Sequence, residues 1–174
     1  MNKLLTLVVV LGGATFCQAQ NYSTVLTGDQ EVPPNSSTST FGSYAFANFT
    51  LSGGTLAVTS AFYGNLNGDP TLITVNDAPL GFNASSPLFD LTINNDETTV
   101  SGGLVDGSFS GSGALTQSEI NDLNAGDLYV NIETAAAPGG EVRGQITTVV
   151  PEPASMTLMA VGSLSWLAMR RKKS

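Results

Sequence analysis

Short runs in which apolar and polar residues alternate recur along residues 20–148, and glycine, asparagine, aspartate and proline separate these runs. Alternation with a period of two places successive side chains on opposite faces of a β-strand. Several short strands of this kind, with turn residues between them, are typical of antiparallel all-β folds. We therefore predict an antiparallel β-sandwich of the Ig-like or Greek-key type with one short helix.

The predicted strands share this alternation and end at turn residues. They cover residues 22–26, 41–51, 55–63, 72–75, 88–93, 107–115, 128–133 and 142–146. Gly53-Gly54 predicts a tight turn between the second and third strands, and Pro138-Gly139-Gly140 predicts another between the last two. The last two strands form a predicted hairpin with one apolar and one polar face.

The one helical signal lies in residues 115–127, LTQSEINDLNAGD. Thr116 and Glu119 have the spacing of a capping box, in which each side chain bonds the backbone N–H of the other residue. Gly126 stands where a helix of about two to three turns would end. We therefore predict a short helix that connects two strands.

The N-terminal segment, residues 1–19, has the pattern of a Sec signal peptide. Lys3 precedes an apolar stretch, and Cys17 and Ala19 are the small residues expected before cleavage after Ala19. One alternative is an uncleaved anchor, for which the apolar run is short. The other is a lipoprotein signal, for which Phe16 before the cysteine is unsuitable. We therefore expect export by the Sec pathway.

The C-terminal segment, residues 149–174, has three parts in order. Prolines interrupt regular structure in the motif Val150, Pro151, Glu152, Pro153. Residues 154–169 are uncharged and mostly apolar, and residues 170–173 are basic. This order predicts a separate C-terminal transmembrane helix over 154–169 with its basic end in the cytoplasm. The alternative is a core helix followed by a solvated basic tail.

These three parts resemble the PEP-CTERM sorting signal. The resemblance implies processing by an exosortase, a membrane-embedded protease of Gram-negative bacteria that usually accompanies exopolysaccharide production. It also implies transient anchoring in the inner membrane, cleavage near the Pro-Glu-Pro motif, and delivery to the cell surface or extracellular matrix. Exosortase is then the processing partner, and exopolysaccharide or other envelope proteins are expected partners after release.

The body between the two signals is strongly acidic. Residues 20–148 contain 13 acids and one base, Arg143, which gives a formal charge of −12. Such a surface repels nucleic acid, which is not an expected partner. The chain has no histidine, and its one cysteine leaves with the signal peptide. Triads that need either residue are excluded, so we predict that the protein is not an enzyme. A two-carboxylate glycosidase is a remote alternative.

Three stretches of this body resemble the chordin-type (CHRD) domain, namely LTGDQEVPP, LTQSEINDLNAGDLYVNI and PGGEVRGQI. The resemblance implies a β-rich domain over residues 20–148 for which no catalytic set is agreed. Related domains commonly carry a His-x-His pair and a later histidine, at places that match Leu72, Thr74 and Glu133 here. If those histidines bind metal in relatives, the capacity is lost or altered in this chain.

Two groups of residues remain as candidate sites. Arg143 is predicted to form a structural ion pair with Glu133 across the last hairpin. Capture of a carboxylate or a sugar acid by Arg143 is the alternative. Asn65, Asn67 and Asp69 are weak calcium candidates, because side-chain oxygens recur there at alternate positions. A solvated acidic turn is the competing interpretation of these three residues.

We therefore predict a secreted or cell-surface structural or binding module, sorted by exosortase and associated with exopolysaccharide or the extracellular matrix. It is expected to lack catalysis and to hold no cofactor, with calcium as the one open candidate. A calcium-dependent adhesion module is the alternative from another class.

Overall fold

The computed structural model describes residues 19–35, 42–94, 97–100 and 102–149. In chain order the strands are β1 (Gln20–Thr27), β2 (Tyr44–Ser52), β3 (Thr55–Leu66), β4 (Pro70–Asp77), β5 (Pro87–Ile93), β6 (Thr98–Thr99), β7 (Val105–Ser110), β8 (Ser112–Ala114), β9 (Leu128–Thr134), β10 (Val142–Gln145) and β11 (Thr147–Thr148). Helix α1 (Gln117–Ala125) connects β8 to β9, and a 3-10 turn over Gly28–Gln30 follows β1.

Most of the predicted terminal signals lie outside the described residues. These are residues 1–18 of the signal peptide, the sorting motif 150–153, the transmembrane run 154–169 and the basic residues 170–173. Ala19, the predicted cleavage residue, is described and exposed. Among the described residues, no helix has the length and apolar character needed to cross a membrane.

Eight strands close into a barrel in the order β7-β5-β4-β9-β10-β1-β2-β3, and every pairing is antiparallel. The ring closes where Phe62 and Tyr63 of β3 pair with Ser108 and Gly107 of β7. The three short strands lie off this ring, since β6 pairs with β7, β8 with β3, and β11 with β1.

The predicted β-sandwich is therefore wrong. A sandwich keeps two separate sheets, whereas β3 and β7 pair here and close one sheet on itself. The length of β3 makes this closure possible. Its twelve residues pair with β2 on one edge and with both β8 and β7 on the other. Gly111, with φ of +140°, lies between β7 and β8, where the chain needs a conformation that glycine adopts easily.

Apolar side chains from the inward positions of the strands fill the barrel. The largest fully buried ones are Tyr22, Leu26, Phe49, Leu56, Tyr63, Leu66, Ile73, Phe109, Leu128 and Ile132. Full burial of an aliphatic or aromatic side chain contributes about 1.5–3 kcal/mol each. The alternate positions on β4, β9 and β10 point outward, and the candidate site lies on them.

Helix α1 confirms the predicted capping box. The Glu119 N–H donates to the Thr116 hydroxyl at 3.4 Å, and the Thr116 N–H donates to Glu119 Oε2 at 2.6 Å. Gly126 ends the helix in the left-handed conformation, with φ of +83°. Leu123 is fully buried and joins the barrel core, so the helix is attached by its apolar side.

Candidate functional site

A cleft of about 230 Å³ opens on the outer side of β4 and β9, and we call it the outer cleft. Its floor consists of outward positions of the two neighbouring strands, namely Leu72, Thr74, Asn76, Tyr129, Asn131 and Glu133. Its walls are residues 83–87, Glu31 and Gly139. Because β4 and β9 pair antiparallel, Thr74 lies opposite Asn131 and Leu72 lies opposite Glu133.

Leu72, Thr74 and Glu133, the positions at which the CHRD resemblance implies histidines in relatives, all line this cleft. Leu72 offers no metal ligand. The Thr74 hydroxyl accepts a hydrogen bond from the Asn76 amide at 2.8 Å. Within the described part of the chain, no group of three or more His, Cys, Asp or Glu side chains is placed to hold a metal ion.

Arg143 is fully buried beside the cleft. Its guanidinium carbon lies 3.5 Å from the centroid of the Tyr129 ring, which is a cation–π contact. Nη1 donates to Asn83 Oδ1 at 3.0 Å, and Nη2 donates to Gln145 Oε1 at 3.1 Å. These contacts do not include Glu133, and the ion pair between Arg143 and Glu133 stays a prediction.

Asn83 connects the two segments that cover the outer face of the barrel. Its side-chain oxygen accepts from Arg143, and its Nδ2 donates to the Val32 carbonyl at 2.7 Å. The neighbouring Ala84 N–H donates to the Tyr129 hydroxyl at 3.1 Å. The polar face of the predicted hairpin is therefore covered by chain and faces little solvent.

Glu31 forms one wall of the outer cleft and is only 6% exposed. Among the described residues, its Oε1 has no hydrogen-bond partner, and neither does Asn131 Oδ1. Burial raises the pKa of Glu31 from 4.5 to about 7; Arg143 opposes this rise and Glu133 adds to it. Burial also raises the pKa of Glu133. The cleft therefore gathers acceptor oxygens that lack donors.

Gly140 allows this arrangement, because a side chain there would collide with the same oxygens. A Cβ at position 140 would lie 2.5 Å from Glu31 Oε2 and 2.6 Å from Asn131 Oδ1. The φ of Gly140 is +127°, which also favours glycine.

Glu141 is the second buried glutamate of this region and is 1% exposed. Its Oε1 accepts from the Ser43 hydroxyl and from the Asn67 N–H, the latter at 2.8 Å. Its Oε2 accepts from the Thr134 hydroxyl at 2.7 Å. This carboxylate joins the segment before β2, the loop after β3 and the end of β9.

The predicted calcium residues Asn65, Asn67 and Asp69 lie at the end of β3 and in the loop before β4. The Asn65 N–H donates to Asp106 Oδ1 at 2.7 Å, and the Asn67 N–H donates to Glu141. The carboxylates of Asp106 and Glu141 thus accept hydrogen bonds from the peptide N–H groups of this segment. Calcium binding by these three residues stays a prediction.

A second surface lies on the outer face of β2 and β3 and consists of Tyr44, Phe46 and Phe62; we call it the aromatic surface. Tyr44 and Phe62 meet edge to face with ring centroids 5.8 Å apart, and both are about two-fifths exposed, at 41% and 44%. Phe46 lies 6.1 Å from Phe62. A Cβ at Gly64 would lie 2.7 Å from the Tyr44 ring, so this ring rests on the backbone of β3.

A comparison with known protein families identifies the family to which this barrel belongs. A family model described as the CHRD domain matches residues 22–146, which run from β1 through β10. The chain belongs to the CHRD family. No curated protein and no solved structure matches it.

A second family model, the PEP-CTERM protein-sorting motif, matches residues 149–172 of this CHRD protein. The match begins directly after β11, so the sorting signal follows the barrel. Both predicted resemblances are confirmed. The signal is one that exosortase recognises, and it identifies an exported protein sorted to the surface or exterior of a Gram-negative bacterium. CHRD domains and PEP-CTERM motifs are non-catalytic types of domain and signal.

Glu31, Asn83 and Asn131 were not among the site residues predicted from the sequence. Glu31 lies in LTGDQEVPP and Asn131 in the YVNI stretch, two of the segments that carry the CHRD resemblance. That signal could have drawn attention to each residue separately. Only the fold shows that residues 100 positions apart line one cleft.

Proposed function

We propose that this CHRD protein is a non-catalytic binding module of the cell surface or extracellular matrix, and that its ligand is a neutral exopolysaccharide. Residues 1–19 would direct export by the Sec pathway. Processing near Pro151-Glu152-Pro153 would then release the barrel to its site of action.

The observation that carries this proposal is the aromatic surface. Large exposed apolar patches on soluble domains mark interaction sites more often than chance. The Tyr44 ring lies against β3 at Gly64, and the residue remains 41% exposed. An exposed aromatic ring is suited to packing against the C–H face of a pyranose ring.

The neighbours of the aromatic surface are uncharged; they are the exposed Val25, which lies opposite Phe46, and several hydrogen-bonding groups. In the strand register, the next outward pair is Asn48 and Ser60, whose side chains are 3.1 Å apart and exposed. Thr27 lies opposite Tyr44 on the β1 side. Hydroxyl and amide groups can bond sugar hydroxyls, while the formal charge of −12 on residues 20–148 disfavours an acidic polysaccharide.

Tyr44→Ala tests this proposal. We expect the exported protein to be retained by exopolysaccharide from the host organism, and the variant to bind about 2- to 10-fold more weakly, because aromatic stacking is worth about 0.5–1.5 kcal/mol. The measurement is affinity electrophoresis in gels that contain the polysaccharide.

Phe82→Ala is the matched control, because Phe82 is 65% exposed and lies outside the aromatic surface. Its binding should equal that of the wild type. No retention of the wild type, or equal binding by Tyr44→Ala, would overturn the proposal.

A calcium-dependent adhesion module is the second candidate. The observation in its favour is the pair of acceptor oxygens without donors in the outer cleft, at Glu31 and Asn131.

A further inference from the structure

We propose that the outer cleft is a cation site, in which Glu31 and Asn131 bind one calcium ion together with Glu133. This site is separate from the predicted calcium loop at Asn65, Asn67 and Asp69. The proposal does not depend on polysaccharide binding by the aromatic surface.

Two acceptor oxygens of the outer cleft lack hydrogen-bond donors among the described residues. Glu31 Oε1 and Asn131 Oδ1 are closed to bulk solvent, and neither has a hydrogen-bond partner in the described ranges. Buried polar groups in native proteins are nearly always paired, and those that are not require an explanation. A bound cation supplies one, because it pairs with several acceptor oxygens at once.

The side-chain oxygens of Glu31 and Asn131 lie close enough together to share one ion. Glu31 Oε2 and Asn131 Oδ1 lie 2.5 and 2.6 Å from one point, the ideal Cβ position of Gly140, so they are at most about 5.1 Å apart. Calcium binds oxygen ligands at about 2.3–2.6 Å. A single ion can therefore contact the Glu31 carboxylate and the Asn131 amide oxygen without rearrangement of the strands.

The charges around the outer cleft favour a cation. Glu31 and Glu133 line the cleft with two carboxylates, and Arg143 is the one basic residue in the described ranges. Its guanidinium is held by Asn83, Gln145 and the Tyr129 ring, and its Nε has no partner. Arg143 therefore bonds neither carboxylate, and the cleft keeps a net negative charge when both acids are ionised.

The ligand types favour calcium over other metals. The chain contains no histidine, and its one cysteine precedes the barrel, so nitrogen and sulfur ligands are absent. Carboxylate and amide oxygens are the ligands of hard cations, and calcium accepts the irregular geometry that magnesium does not. With two carboxylates and one amide from the protein, the site resembles extracellular calcium modules, whose Kd values are about 0.1–1 mM.

Thermal unfolding of the exported protein, freed of divalent cations and titrated with calcium chloride, tests the proposal. At 10 mM calcium the wild-type Tm should rise by about 4 °C. Glu31→Gln should abolish this rise. It should also raise the Tm without calcium, because the glutamine amide can donate to Asn131 Oδ1.

Two further variants make the result decisive. Asn131→Asp adds a carboxylate ligand to the cleft. Without calcium, its Tm should be lower than that of the wild type. With calcium, its Tm should rise by more than that of the wild type. Asp69→Asn is the matched control in the predicted loop, and it should keep the wild-type rise.

If calcium does not change the Tm of the wild type, the proposal is wrong. The protonated carboxyl of Glu31 would then be the group that donates a hydrogen bond to Asn131 Oδ1. A calcium-induced rise that survives in Glu31→Gln, or that disappears in Asp69→Asn, would also overturn the proposal. The polysaccharide assay with Tyr44→Ala reports on the aromatic surface alone, so the two proposals can fail separately.

Discussion

Two buried glutamates, Glu31 and Glu141, lie close to the same end of β9 and have opposite surroundings. Glu141 receives three hydrogen bonds, from the Ser43 and Thr134 hydroxyls and from the Asn67 N–H. Glu31 is buried to a similar extent, but its Oε1 has no donor in the described residues. The difference teaches that the donors around a buried carboxylate, more than its burial, distinguish a structural role from a binding role.

The different surroundings follow from where each residue stands. Glu141 precedes β10, and its three donors come from three separate parts of the chain that the barrel brings together. Glu31 follows the 3-10 turn after β1 and meets the outward face of β9, where Asn131 presents another acceptor. One carboxylate holds the fold together, and the other faces a cleft in which a ligand can complete its bonding.

The largest expected effect separates the two glutamates directly. Glu141→Ala should lower the free energy of unfolding by at least about 3 kcal/mol, because each of three buried donors left without an acceptor costs about 1–3 kcal/mol. Glu31→Ala removes no hydrogen bond from a described partner and should cost much less. Urea unfolding of both variants measures this, and equal losses would contradict the distinction.

Arg143→Ala should have the next largest effect, a loss of about 2–4 kcal/mol in the free energy of unfolding. The variant loses the cation–π contact with Tyr129 and the hydrogen bonds to Asn83 and Gln145. Polysaccharide binding should change little, because the aromatic surface lies on other strands.

Arg143→Lys is the control for charge. It keeps the positive charge but cannot reproduce the planar contacts of the guanidinium, so its stability should fall between wild type and Arg143→Ala. An Arg143→Ala variant with unchanged stability and lost polysaccharide binding would assign Arg143 a ligand instead.

The remaining effect is the part of the pH dependence of stability that Glu31 contributes. In the folded protein Glu31 keeps its proton up to about pH 7, whereas in the unfolded chain it releases the proton near 4.5. Between these pH values the folded state binds more protons, so the free energy of unfolding falls as pH rises. Arg143 weakens this effect and Glu133 strengthens it.

The measurement is urea unfolding at pH 5 and pH 8 without divalent cations, for wild type and Glu31→Gln. The free energy of unfolding should fall more for the wild type than for the variant between pH 5 and pH 8. The contributions of acids that titrate alike in the two proteins cancel in this difference. Calcium at pH 8 should restore part of the wild-type loss. Identical pH dependence in the two proteins would show that Glu31 ionises freely.

Local features of the chain were predicted well. The capping box of Thr116 and Glu119, the turn at Gly53-Gly54 and the alternation in β9 all appear in the structure. Each depends on residues close in sequence, whose spacing alone determines the geometry. The covering of the polar face of the last hairpin was not predicted, because Asn83 and the segment around Glu31, which cover Arg143 and Tyr129, come from distant parts of the chain.

By itself, the sequence determined which residues face inward and where the protein is sent, because strand periodicity and terminal sorting signals are local patterns. Only the tertiary structure decided that the sheet closes into a barrel, since closure requires β3 to reach β7, and the same alternation serves open and closed sheets. It also decided which of the acids lack donors, because the partners of a buried carboxylate come from distant parts of the chain.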